Sequence, residues 1–192
     1  MSGDSIRVMR PLFPEAEGGS IPTSPLQLQI GPIGMRQAQA LNRLWHSVLP
    51  ETHLGNLVGA KRSVAFVAEH SSVAYAVAIW TDPIAANRMK DSAHVIELRR
   101  FAIGPDAPRN TASRMLSVMS RLLSKRWPEL TRLISYQAVE SHQGTIYKAA
   151  GWRPVATSRQ QRWHPREHRA DAQIVSDKIR WEKALTPPNR QA

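Results

Sequence analysis

The sequence predicts an α/β fold of the α+β type, a mixed, mostly antiparallel twisted sheet with helices on both faces. Three observations predict it. Two long apolar runs, Val64 to Ala68 and Val73 to Trp80, are separated only by a short polar turn, which is how a β-hairpin reads. Further along, apolar strands alternate with segments of helical periodicity, as they do where helices cross over a sheet. The chain has 192 residues, 42% of them hydrophobic, enough for one core with a tail at each end.

Each element has its own local reason. Residues 1 to 25 read as a flexible arm, with scattered prolines and the Gly18-Gly19 pair. Leu26 to Ile30 alternates like a half-buried strand, and Gly31 to Gly34 reads as a turn. From Met35 to Val48, Ala38, Leu41, Leu44, Trp45 and Val48 recur at helical spacing until Pro50 ends the pattern. The hairpin turns at His70-Ser71-Ser72. Asp82 to Asp91 is a polar loop, and His94 to Ile103 is a third strand stopped by Gly104-Pro105. Ser113 to Arg126 is an amphipathic helix whose stripe is Met115, Leu116, Met119, Leu122 and Leu123, with Asn110 or Thr111 as its N-cap. Leu130 to Gln137 is a strand, Ser141 to Ala150 a short helix closed by Gly151, and Trp152 to Thr157 a last strand. Residues 159 to 192 form a basic C-terminal extension with a short helix around Ile174 to Leu185.

Charge and composition limit the function classes. Lys and Arg number 26 against 15 Asp and Glu, a net charge of +11. A surface this basic favours a polyanionic partner, because contacts to phosphates release condensed counterions. The chain has no cysteine, which excludes disulfides, thiolate metal sites and a cysteine nucleophile. No apolar run approaches the roughly 18 residues that span a bilayer, and the N-terminal region lacks the apolar core of a signal peptide. The expectation is a cytoplasmic protein without a membrane partner. No HxH or HExxH spacing occurs among the seven histidines. An iron or other metal site assembled in space stays open, as does a homodimer.

Two segments carry candidate chemistry. In the first, the strand Glu97 to Ile103 runs through Gly104-Pro105-Asp106-Ala107-Pro108 into Arg109-Asn110-Thr111-Ala112-Ser113-Arg114, which opens a helix. Free N–H groups at a helix start bind phosphate, helped by the macrodipole and by Arg109 or Arg114; an ordinary capped helix has the same local sequence. In the second, Ile134-Ser135-Tyr136-Gln137 leads to Gly144-Thr145-Ile146-Tyr147-Lys148-Ala149-Ala150-Gly151-Trp152. Tyr147 has a hydroxyl able to protonate a leaving group without being ionised at neutral pH; the alternative is a buried aromatic whose hydroxyl is merely satisfied.

Together the two segments resemble the GNAT acyltransferases over about residues 26 to 158. The resemblance implies a GNAT-like domain with a splayed strand pair. The backbone of Arg100, Phe101, Ala102 and Ile103 would lie along acetyl-CoA or another acyl-CoA, and Arg109 to Arg114 would hold its pyrophosphate. Tyr147, before Gly151-Trp152, would be the proton donor. One departure is plain: GNAT phosphate loops usually contain glycine, and none stands between Pro105 and Arg114. A narrower resemblance is to the phage Mom-type DNA adenine modification proteins. It rests on Asn42-Arg43-Leu44-Trp45-His46, Glu97-Leu98-Arg99-Arg100-Phe101, Ala107-Pro108-Arg109-Asn110-Thr111, Leu133-Ile134-Ser135-Tyr136 and His142 to Ala149. It implies modification of the exocyclic amine of adenine in double-stranded DNA, protecting phage DNA from restriction in an infected or prophage-bearing cell.

On that reading the amine is a poor nucleophile, so the enzyme must orient it and polarise the acyl carbonyl. Backbone N–H groups after Phe101 would form the oxyanion site, and His46, Glu97 or His142 would be the base. Ser135, at the splay, would bind substrate or cofactor. Arg99 and Arg100 should point to opposite faces of their strand, with Arg100 toward the cleft. A base inside a duplex must be flipped out. Arg159, Arg162, Trp163 and Arg166 are the candidates to hold the DNA, against the plainer reading of a solvated charged tail. Two other functions fit the same features: a GNAT acetyltransferase acting on aminoacyl-tRNA, protein or a small amine, and a non-enzymatic DNA-binding module with a degenerate cofactor groove.

Overall fold

A computed structural model of the chain describes residues 21–46, 60–83, 92–139, 143–158 and 177–185. In chain order its elements are Gln29–Ile33 (β1), Met35–Trp45 (α1), Ser63–His70 (β2), Val73–Thr81 (β3), Val95–Ile103 (β4), Thr111–Arg126 (α2), Arg132–Ala138 (β5), Thr145–Ala149 (α3), Arg153–Ser158 (β6) and Lys178–Ala184 (β7). The strands form one sheet in the order β1-β2-β3-β4-β5-β7-β6. Every neighbouring pair is antiparallel except β4 with β5.

Helices cover both faces, as the pattern predicts. On one face α1 sets Ala38 and Leu41 against Ala65, Val67, Val77, Ile79 and Ala102. On the other, α2 places Met115, Leu116, Met119 and Leu123 over Trp80, Ile96, Leu98 and Leu133. Removing each such side chain from water contributes roughly 1.5–3 kcal/mol, which is what fixes α2 to the sheet. Trp80 is fully buried, and its indole N–H donates to the Met119 sulfur at 3.2 Å. The β2–β3 hairpin turns on Ser71 and Ser72, both at positive φ, the twist that two-residue hairpin loops require.

The sheet opens in one place. The parallel pairing of β4 with β5 runs from Val95↔Arg132 only to Leu98↔Ser135. Beyond that point β4 stays with β3 as far as Ile103, and β5 stays with β7 as far as Ala138. The two strands therefore diverge past Leu98 and Ser135, leaving the β5-facing edge of residues 99–103 without a strand partner among the described residues. This is the splay implied by the GNAT resemblance.

Several expectations are corrected. The stretch expected to hold a short C-terminal helix instead contributes β7, inserted between β5 and β6. Its residues alternate, with Trp181 buried toward α3 and Arg180 and Glu182 on the other face, and both its edges find backbone partners. The basic stretch 159–176 is accordingly a connection between paired strands, anchored at Ser158↔Lys178, and its own residues, Arg159, Arg162, Trp163 and Arg166 among them, lie outside those described. The first strand begins at Gln29, because Ser24 and Gln27 form a capping box around a 3-10 turn at Pro25–Gln27. Leu44 faces solvent and not the α1 core contact.

Candidate active site

Tyr147 enters the site through a chain of local constraints. Gly144 takes a left-handed conformation at φ 71 and starts α3, and Gly151, at φ 73, follows its last turn. A methyl group on Gly144 would fall inside the indole ring of Trp181. The short helix can therefore approach β7 closely enough for Tyr147 to stack on Trp181, with ring centroids 5.1 Å apart and planes 13° from parallel. Trp152 meets the Tyr147 ring edge-on at 5.6 Å and 64°. The Trp181 indole N–H donates to Gln137 Oε1 at 2.8 Å, which fixes the platform.

The phenol so held is only 7% exposed and its oxygen lies 2.9 Å from Ser135 Oγ. Ser135 is the last β5 residue paired with β4, so this hydroxyl pair sits where the splay begins. Burial pushes the Tyr147 pKa above its ordinary value, and the Ser135 hydrogen bond offsets part of that rise. Tyr147 consequently keeps its proton at neutral pH and has a partner that orients it.

The second part of the site is the start of α2. Asn110 is its N-cap residue, but neither expected side chain caps the helix. The left-handed backbone of Asn110 (φ 67) takes its side chain out of capping position, and the Thr111 hydroxyl donates to the Pro108 carbonyl at 2.7 Å. Among the described residues, no acceptor meets the first-turn N–H groups of Ala112 and Ser113. A left-handed residue leading into a helix turns successive N–H groups toward one point, which suits an anion. Asn tolerates this conformation better than other non-glycine residues, so Asn110 supplies the geometry for which glycine was expected. Arg109 is exposed beside the turn, while Arg114 donates to the Leu28 carbonyl at 3.3 Å. The free strand edge and these donors together fit the pantetheine and pyrophosphate of an acyl-CoA. Phe101 packs with the α2-side core, Ala102 is buried against α1, and Ile103 is exposed at the strand end.

The third part lies on the α1 face. Glu97 is 6% exposed, with Arg99 Nε 3.4 Å from its carboxylate. The expectation that Arg99 and Arg100 point to opposite faces is corrected by register: Ile79 pairs with Arg100 and Trp80 with Leu98, so Arg99 is the extra residue of a β-bulge. Because Ile96 and Leu98 face α2 while Ala102 faces α1, the bulge brings Glu97, Arg99 and Arg100 to the α1 side together. Burial and then the Arg99 charge lower the Arg100 pKa, with Glu97 raising it in part. Trp45 and His46 end α1; His46 is half-buried, its backbone N–H bonded to the Asn42 carbonyl at 2.8 Å. His142 lies outside the described residues. Ser135 and Tyr147 are thus brought together on the α2 side, and Glu97 stands on the opposite face.

A match to the Mom protein family runs over residues 73–186, from β3 through β7. The chain belongs to the Mom family. No curated protein matches it. Among solved structures, this Mom-family chain is similar to a Bacillus subtilis acetyltransferase in complex with CoA, at 13% identity over 83% of this chain and 99% of that one, with a TM-score of 0.60. It is similar to the ribosomal-protein-S18-alanine N-acetyltransferase of Escherichia coli, at 15% identity over 86% and 98% of the two chains and a TM-score of 0.57. A GNAT family acetyltransferase from Elizabethkingia anophelis with acetyl-CoA bound has 13% identity, coverage of 83% and 99%, and a TM-score of 0.57. At these identities the likeness is one of fold: the Mom-family chain has the GNAT fold. Among its described residues no helix is long and apolar enough to cross a membrane. No group of three or more His, Cys, Asp or Glu side chains is placed there to hold a metal ion.

Sequence reasoning missed Trp181 and Gln137, the platform under Tyr147. The alternation Ile179, Trp181, Lys183 is the available signal, in a stretch whose local pattern also fits a short helix.

Proposed function

We propose that this protein is an N-acyltransferase that moves an acyl group from an acyl-CoA thioester to the exocyclic amine of adenine in DNA, as the Mom resemblance implies. The observation that carries the reading is the Tyr147–Ser135 hydroxyl pair, buried at 2.9 Å where β4 and β5 part, in a Mom-family chain of GNAT fold. A bound thioester would supply an activated carbonyl. The chain's own residues do the rest. Unpaired backbone N–H groups of β4 beyond Leu98 stabilise charge developing on the carbonyl oxygen. Tyr147 holds a proton at Oη for the departing sulfur, and Ser135 keeps that proton directed along one line. The first turn of α2, with Arg109, holds the donor's phosphates. Glu97, His46 and His142 are the candidate acceptors of the amine proton.

The acceptor assignment draws on the net charge of +11 and on the Arg- and Trp-containing connection 159–176, whose roots at Ser158 and Lys178 lie alongside Ala138, the divergent end of β5. Phage DNA modified in this way would resist restriction. The test is direct: express the protein with a plasmid, digest the plasmid to nucleosides, and analyse them by mass spectrometry. A deoxyadenosine of increased mass is expected. Unmodified DNA together with acylated tRNA would replace DNA by tRNA as the acceptor.

A further inference from the structure

The bulge at Arg99 leaves a charge arrangement that the chemistry above does not use. Glu97, Arg99 and Arg100 share the α1 face of β4, and two strands away Arg180 Nε lies 2.9 Å from Glu182, with Arg132 at 3.8 Å. Trp181 faces α3, so its neighbours Arg180 and Glu182 also face the α1 side. Among the described residues, Arg99 and Arg100 share Glu97, and Arg180 and Arg132 share Glu182. The imbalance is sharpest at the bulge. The Arg99 side chain is only 13% exposed, yet among the described residues its buried Nη1 meets no hydrogen-bond partner, and neither does Nε of Arg100. Arg100 spends Nη1 on the Arg99 carbonyl at 2.7 Å, an intrastrand contact, and shares the nearby Glu97 carboxylate with Arg99. Burying guanidinium donors without acceptors is unfavourable unless an anion completes them. An adjacent pair of planar guanidiniums matches the oxygens of a phosphate.

We infer that Arg99 and Arg100 form a binding site for one phosphodiester of the acceptor strand, on the face of the sheet opposite the helix that takes the donor's phosphates. The inference rests on the DNA reading for the identity of the acceptor, and it adds where that acceptor is gripped. The two phosphate sources are separated by the sheet: α2 packs on the face of Ile96 and Leu98, and the arginine pair stands on the face of Ala102. A phosphate bound at the bulge would lie beside Glu97 and the opening past Leu98, which would set the register of a nucleotide entering from that side.

The test is a binding measurement that needs no turnover. Affinity for a labelled 20-base-pair DNA duplex is followed by fluorescence anisotropy over a series of KCl concentrations, with CoA affinity measured separately by calorimetry. Arg99→Gln and Arg100→Gln are each expected to weaken DNA binding and to reduce the slope of log K against log salt by about one, the signature of one lost phosphate contact. The CoA affinity of Arg99→Gln should stay within about twofold. An unchanged DNA slope in folded variants would overturn the site, and so would a selective loss of CoA binding, which would assign the anion to the donor. Should a variant not fold, the wild-type protein saturated with CoA still decides: the dinucleotide d(ApA) should raise its melting temperature, and no rise at millimolar d(ApA) would also overturn the site. Loss of DNA affinity in these variants, alongside unmodified plasmid from the wild type, would sink the acyl-transfer reading and leave this one standing.

Discussion

At the scale of single residues, the proton on Tyr147 is the decisive quantity. Its ring is stacked on Trp181, and its buried hydroxyl is bonded to Ser135 and to no charged group among the described residues. General acid catalysis by one positioned side chain contributes typically 10²–10⁴-fold, so Tyr147→Phe is expected to lower the modification rate by about 100-fold or more. DNA affinity should be nearly unchanged, because the phenol lies under α3 and away from the arginines. Equal activity in the variant would remove Tyr147 from the mechanism. The pH dependence has a definite sign. Burial raises the Tyr147 pKa, and the Ser135 bond, which favours the phenolate, lowers it. A rate that needs the protonated phenol falls as pH rises through that pKa. Ser135→Ala removes the lowering influence, so the alkaline fall should move to higher pH while the rate at neutral pH drops through lost orientation. A pH–rate profile of the variant checks both; a shift toward lower pH would contradict the assignment.

Among elements, the contact between α3 and β7 positions the acid, and its tolerance is set by Gly144. A side chain there would enter the Trp181 ring and would have to adopt φ 71. Left-handed backbone costs about 1–2 kcal/mol for an L-residue, and forcing extra volume into a packed site about 1–3 kcal/mol. Gly144→Ala should therefore destabilise the fold by roughly 2–5 kcal/mol. Gly31→Ala, where nothing lies within 4 Å, is the control and should change stability by less than about 1 kcal/mol. Urea denaturation of the two variants distinguishes them; equal midpoints would mean that α3 does not depend on this close approach. The same contact marks where the sequence stops being legible. α2 was readable because Met115, Leu116, Met119 and Leu123 repeat at the helical period over sixteen residues, and the hairpin because both strands are continuously apolar. Tyr147 and Ser135 were readable as a motif. β7 was not, since seven residues of mixed alternation owe their strand state to β5 and β6, partners twenty or more residues away. The bulge at Arg99 is likewise a fact of register with β3, and no local spacing announces that both arginines share a face.

Taken as a whole, the molecule offers two separate approaches to one opening. The helix start that suits the donor's phosphates belongs to α2, on one side of the sheet, and the arginine pair belongs to the other side. The gap between β4 and β5 beyond Leu98 and Ser135 is where the two sides communicate. Donor and acceptor approaching from opposite faces need not displace one another, so both can be bound at once and the group can pass directly between them. The chain has no cysteine to carry an acyl group. The buried Ser135–Tyr147 hydroxyl pair is arranged as an acid, and among the described residues no base is bonded to either oxygen to activate it as a nucleophile. The expected kinetics are therefore sequential: initial-rate plots at several fixed DNA concentrations should intersect, and intact-mass spectrometry of the protein after incubation with acyl-CoA alone should show no adduct. Parallel lines with a stable mass increase on the protein would establish a covalent acyl-enzyme. The two faces would then serve in turn, and a site built for simultaneous occupancy would be the wrong description of this fold.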